Sequence, residues 1–106
     1  MATFEDFSKL ELKTATIIEA ERVEGTDKLL KMRISLGDEE RNLVAGISPY
    51  YKPEDLRGKG IVVIANLEPR NIKGVESQGM LLAADVNGEP VLLTPDRKVP
   101  EGSRVR

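Results

Sequence analysis

The sequence predicts a small all-β barrel that carries one helical turn, and three patterns predict it. Leu30, Met32, Ile34 and Leu36 alternate with Lys31, Arg33 and Ser35, the period-two signature of a strand with one face buried. Residues 61–65, IVVIA, are a short continuous apolar run, as a buried strand requires. Residues 48–60, SPYYKPEDLRGKG, break the β pattern, with Pro53 opening a helical turn and Gly58 closing it.

The remaining elements follow in order. The opening TFEDFSKLELKTA carries a helix start, because Thr3 followed by Asp6 forms a capping box with Asp in place of the usual Glu. Phe4, Phe7 and Leu10 then give a short helix or 3₁₀ turn one apolar face, suited to plugging a barrel end or packing on a partner subunit. Thr and Ile enrichment makes 13–23, KTATIIEAERV, a strand with Ala15 and Ile17 on one face and Ile18 and Ala20 on the other. Glu24 to Asp27 is a turn signal. Gly37 to Glu40 turns the chain from the second strand into Leu43, Ala45 and Ile47, completing a hairpin. Met80 to Ala84 is another apolar run, Asn87-Gly88 a two-residue turn, and Val91 to Leu93 the strand after it. The tail TPDRKVPEGSRVR is an irregular connection into a short last strand. Five or six short strands, with a helical turn between the third and fourth, suggest a closed or partly closed barrel of the OB type; the helix position favours it over an SH3-like barrel.

Composition narrows the function. A chain of 106 residues fits a single domain, 1–106, whose modest core makes oligomerisation a natural supplement. There are no cysteines and no histidines, which removes disulfides, thiolate and imidazole metal sites, and histidine-based catalysis. Gly58-Lys59-Gly60 lacks the Ser/Thr and glycine spacing of a phosphate loop. The pairs Glu19/Glu21 and Asp38/Glu40 read as solvated surface, and no nucleophile stands beside a base. The expectation is a non-catalytic protein with no cofactor and no metal. Met1 to Leu12 is charged and lacks a leader's apolar core, and no window approaches a membrane span, so a cytoplasmic location and no membrane partner are expected.

Net charge is -2, which argues against a protein that binds polyanions over its whole surface, although its 16 basic residues suffice for a local patch. Residues 66–84, NLEPRNIKGVESQGMLLAA, place Arg70 and Lys73 in what reads as a mobile basic loop before an apolar strand. Arg70 and Lys73 suit phosphate contact, and Gly74 and Gly79 leave room for a ribose or backbone to approach. Lys31 and Arg33, outward on their strand, extend the same patch. The plainer alternative is a surface turn in which Ser77 satisfies nearby backbone groups. Tyr50 and Tyr51 are the only free aromatic residues, too few for a general single-strand binder.

These segments together resemble the tRNA-binding domain at the C-terminus of methionyl-tRNA synthetases, which also occurs as stand-alone tRNA-binding proteins, in EMAP II-like synthetase cofactors and in bacterial phenylalanyl-tRNA synthetase beta chains. The resemblance runs through DFSKLELKTATIIEAERV, DKLLKMRISLGDEERNLVAGI, YYKPEDLRGKGIVVIANLEPR, GVESQGMLLAA and PDRKVPEGSRV, essentially the whole chain. It implies an OB barrel with a short N-terminal helix and a C-terminal extension. It also implies a homodimer, with Phe4, Phe7 and Leu10 meeting a partner's Val99 to Val105. The family's Asn-Leu-x-Pro matches Asn66, Leu67 and Pro69; its Ser-x-Gly-Met matches Ser77, Gly79 and Met80; its Asp-Lys-Leu matches Asp27, Lys28 and Leu29. The resemblance assigns phosphate contact to Arg70, Lys73, Lys28, Lys31 and Arg33. It makes Ser77 and Asn66 loop organisers or partners of sugar and base, and Met80 a core or groove-floor residue. Glu24-Gly25-Thr26 stands where many relatives have His-Pro, Glu68 where they often have Lys, and Asn71 where another basic residue is common. Each difference lowers positive potential, so weaker RNA binding is expected.

The resulting expectation is a module that binds folded tRNA by shape and phosphate contacts, assisting methionyl-tRNA synthetase or forming part of a split one. The alternative is an export-related, chaperone-like dimer that binds unfolded peptides. Convergence of Lys31, Arg33, Arg70 and Lys73 favours RNA; exposed apolar residues beside Met80 and Ile72 favour peptide. A purely structural assembly module is a third reading, and would call for an apolar patch away from the dimer seam.

Overall fold

A computed structural model describes all 106 residues. Its centre is a strongly bent antiparallel sheet in the order β3-β2-β1-β4-β7, built from β1 (Leu12–Arg22), β2 (Leu30–Ser35), β3 (Glu40–Ala45), β4 (Gly60–Ile64) and β7 (Met80–Leu81). β10 (Arg104–Val105) adds to β1 through Leu12↔Val105 and Lys13↔Arg104. The sheet is nearly closed, as the sequence predicts for an OB-like barrel. The eleven-residue β1 makes this possible. Its first half pairs with β4 and its second half with β2, and a register shift between Ile17 and Glu19 marks the change. That irregularity also breaks the simple alternation expected for 13–23.

Two hairpins stand off the main sheet. β5 (Arg70–Ile72) pairs with β6 (Val75–Ser77), and β8 (Ala83–Val86) pairs with β9 (Glu89–Leu92). Asn87-Gly88 forms the second turn, as predicted. Lys73-Gly74 forms the first, with φ of 52° and 84°, and Gly74 N–H donates to the Asn71 side chain at 2.9 Å. The basic segment is therefore a paired hairpin where a mobile loop was expected, and the strand count rises accordingly.

Alternation in β2 gives the core its axis. Leu30, Met32 and Ile34 are buried with Ile17, Leu43, Ile61 and Val63. α2 (Pro53–Leu56) fills one barrel end: Pro53 starts the turn, and Leu56 is fully buried. α1 (Phe4–Ser8) carries the predicted capping box, with Asp6 N–H donating to Thr3 Oγ1 at 3.1 Å and Thr3 N–H to Asp6 Oδ2 at 3.0 Å. None of its residues is buried, and Phe4 is 83% exposed. The C-terminal segment is sewn onto β1: Thr14 N–H donates to Ser103 O, and Gly102 N–H to Thr14 O. Gly102 has φ +79°, and a Cβ there would stand 2.3 Å from Leu36 O, so only glycine permits this approach.

Candidate nucleic-acid interface

The outer face of β1, β2 and β3, closed at one side by α2, forms an open groove. Lys31, Arg33 and Arg57 supply its positive charge, and Glu19, Glu21, Glu40 and Glu54 its negative charge. Lys31 and Arg33 reach it because β2 alternates, sending Leu30, Met32 and Ile34 inward. Arg33 is already engaged there: its guanidinium donates to Glu40 at 3.1 Å and to Asn42 Oδ1 at 3.1 Å. Lys31 has no ion-pair partner; the chain's two ion pairs are Arg33–Glu40 and Arg41–Glu39.

Arg70 and Lys73 lie exposed on the β5–β6 hairpin and are not among the residues lining this groove. Pro69 is exposed just before the hairpin, and Lys28 is exposed in the turn before β2, also outside the groove. The five cations assigned to phosphate contact thus fall into a groove pair, a hairpin pair and a single turn lysine, and the expected convergence of Lys31, Arg33, Arg70 and Lys73 into one patch is not observed, because β5–β6 pairs apart from the outer face of β2. Arg57, which the sequence reading did not select, joins the groove pair from the end of α2.

Several other expected site residues organise the chain. Ser77 is 4% exposed; its hydroxyl accepts from Val44 N–H and donates to Gly79 O, both at 3.0 Å. Burial and these two hydrogen bonds make Ser77 a tie between β3 and the segment after β6. Asn66 accepts from Glu11 N–H at 2.8 Å and donates to Lys9 O at 2.7 Å, tying the exit of α1 to the end of β4. Gly79 has φ +133°, and an added Cβ would lie 2.9 Å from Ile64 O. Met80, expected in the core or on the groove floor, is instead 46% exposed at the start of the two-residue β7 and does not line the groove. Phe7 and Leu10 are exposed with Phe4, whereas Val99 and Val105 are half-buried against their own chain.

Arg41 is a structural residue that the sequence reading missed. Its guanidinium donates to the carbonyls of Ala65 and Gln78 and to Glu39, clasping β3 to the segments after β4 and β6. The register opposite Ile34 was the available signal, since it places an arginine at an inward position of an alternating strand.

The candidate site is thus an open, polar outer groove on a small, nearly closed β barrel, with Arg70 and Lys73 on a separate hairpin. The family model described as a putative tRNA binding domain matches residues 12–104, and the chain belongs to that family. It is 53% identical over 103 residues to a methionine–tRNA ligase of Caldanaerobacter subterraneus subsp. tengcongensis, covering 97% of this chain and 16% of that one. It is 55% identical over 103 residues to the ligase of Methanothrix thermoacetophila, covering 97% and 15%. The chain therefore spans about one-sixth of the curated relatives it matches. Among solved structures, a MetRS-related protein from Pyrococcus horikoshii superposes with a TM-score of 0.95 at 37% identity, covering 100% of this chain and 98% of that one. The chaperone CsaA from Bacillus anthracis superposes with a TM-score of 0.92 at 33% identity, covering 100% and 99%. No helix is long and apolar enough to cross a membrane.

Proposed function

We infer that this domain binds folded tRNA through phosphate contacts, without catalysing a reaction. The observation that carries this reading is the free positive charge on the β5–β6 hairpin. Arg70 and Lys73 are exposed and make no ion pair, with Arg70 paired opposite Ser77 and Lys73 in the turn. Lys31 and Arg57 in the groove and Lys28 beside β2 supply further contacts. Cations spaced over a folded scaffold suit the fixed backbone of a folded RNA better than a flexible strand. Methionyl-tRNA synthetase is the partner this reading favours, with the domain raising the local concentration of tRNA.

Exposed Phe4, Phe7 and Leu10 support a homodimer built through α1, because a five-residue helix with no buried residue gains stability from a second surface. Two modest patches on one dimer would grip a single large RNA more tightly than either alone. A peptide-binding reading draws on exposed Met80 and Leu67 and on the likeness to CsaA. Competition among folded tRNA, an unstructured RNA of equal length and an unfolded polypeptide separates the readings. Preference for folded tRNA is the expected result; preference for the polypeptide overturns it.

A further inference from the structure

The outer face of β1 is covered unevenly by the chain's own C-terminal segment. At Thr14 the cover is complete: its hydroxyl donates to Pro100 O and accepts from Ser103 N–H, both at 3.0 Å. Thr16 lies two residues further along the same face and has no such partner. There the segment from Thr94 to Glu101 leaves a cleft of about 750 Å³ against β1, with Gly58 and Gly60 on its opposite rim.

The chemistry of this cleft differs from that of the groove. Arg97 and Lys98 line it against one carboxylate, Glu101, and neither cation forms an ion pair. In the groove, three cations face four carboxylates, and Arg33 already holds Glu40. Thr16 and Thr94 also line the cleft, and their hydroxyls have no hydrogen-bond partner in the chain, whereas the neighbouring Thr14 hydroxyl is used twice. Unpaired cations beside free hydroxyl donors are what a phosphate oxyanion requires. The loop from Arg57 to Gly60 is the ridge between the two depressions: Arg57 lines the groove, while Gly58 and Gly60 line the cleft. That ridge is fixed, because Gly58 N–H donates to Ile17 O at 2.7 Å and Ile17 N–H to Lys59 O at 2.9 Å.

We propose that this cleft is a second phosphate-binding site, in which Arg97 and Lys98 hold phosphodiester groups of an RNA backbone that crosses the Arg57–Gly60 ridge from the groove. Thr16 and Thr94 supply additional donors. The proposal rests on the RNA reading above and extends the interface to the C-terminal segment.

The test compares wild type with R97Q/K98Q, both exposed positions, in binding folded tRNA across a salt series. A K9Q/R22Q variant removes the same charge outside both depressions. Inorganic pyrophosphate serves as a minimal probe, followed through the backbone amide resonances of Thr16, Gly58 and Lys98. The expected result is a several-fold loss of tRNA affinity in R97Q/K98Q, with a salt slope shallower by about 1–2 and a smaller effect in K9Q/R22Q. Pyrophosphate should shift the three amides in wild type and not in R97Q/K98Q. If wild type binds tRNA and R97Q/K98Q loses no more than K9Q/R22Q, or if pyrophosphate leaves the three amides unmoved, the cleft is not a phosphate site and the RNA reading stands. If wild type binds no tRNA at low salt, that reading and this proposal fall together.

Discussion

Val44 and Ser77 are joined where the barrel closes: the Val44 N–H donates to the Ser77 hydroxyl at 3.0 Å, and that hydroxyl donates onward to Gly79 O. β3 and β6 share no ladder of paired residues, so this side chain stands in for part of a backbone pairing. Ser77→Ala leaves the buried Val44 amide without a partner. A loss of about 1–3 kcal/mol is expected from urea unfolding midpoints, since an orphaned buried donor keeps its desolvation cost. The tRNA affinity of the folded variant should be unchanged, which distinguishes an organising residue from a contact.

Gly79 is a second fixed point of the closure. Its φ of +133° is a conformation that L side chains rarely adopt, and a Cβ would press on Ile64 O at 2.9 Å. Gly79→Ala is expected to cost more than about 2 kcal/mol, strain and close contact acting together. Thermal unfolding measures it; a midpoint equal to wild type would contradict the geometry.

Asn66 holds the exit of α1 by bonds to Lys9 and Glu11. Asn66→Ala removes both and should raise amide exchange over residues 9–11 well before the core responds. The cost to global stability is expected at about 1–2 kcal/mol. If α1 builds a dimer, the same variant shifts the sedimentation profile toward monomer.

Glu40 holds the Arg33 guanidinium at 3.1 Å, which the proposed RNA contact would need free. The pair is half-exposed, so it contributes only about 0–1 kcal/mol to stability, and Glu40→Gln should leave unfolding nearly unchanged. Removing one of four groove carboxylates and freeing Arg33 should raise tRNA affinity at low salt, by about 2- to 5-fold. An unchanged or lower affinity would exclude the groove as part of the interface.

Much of the fold is legible from short-range rules. Thr3 with Asp6, Pro53 with Gly58, Asn87-Gly88 and the alternation from Leu30 to Leu36 each act over a few residues, and each forms as its local chemistry dictates. What escapes the sequence is long-range. Arg41 reads as a charge beside a turn, yet its guanidinium serves carbonyls 24 and 37 residues away. Lys73-Gly74 is a weaker turn signal than Asn-Gly, so the β5–β6 hairpin reads as a loop. The binding surface is the least legible part. Lys31 and Arg33 share a face by alternation, but Arg57 joins them through the packing of α2 on β1, and Arg97 and Lys98 meet β1 through the path of the tail over Thr14; neither follows from spacing along the chain.

Free cations on the barrel are proposed to hold tRNA phosphates. The slope of log Kd against log salt for folded tRNA, in wild type and in R70E/K73E, measures their contribution. Steep weakening with salt in wild type is predicted, with lower affinity and a shallower slope in the variant. An affinity insensitive to salt, or a variant indistinguishable from wild type, would contradict it.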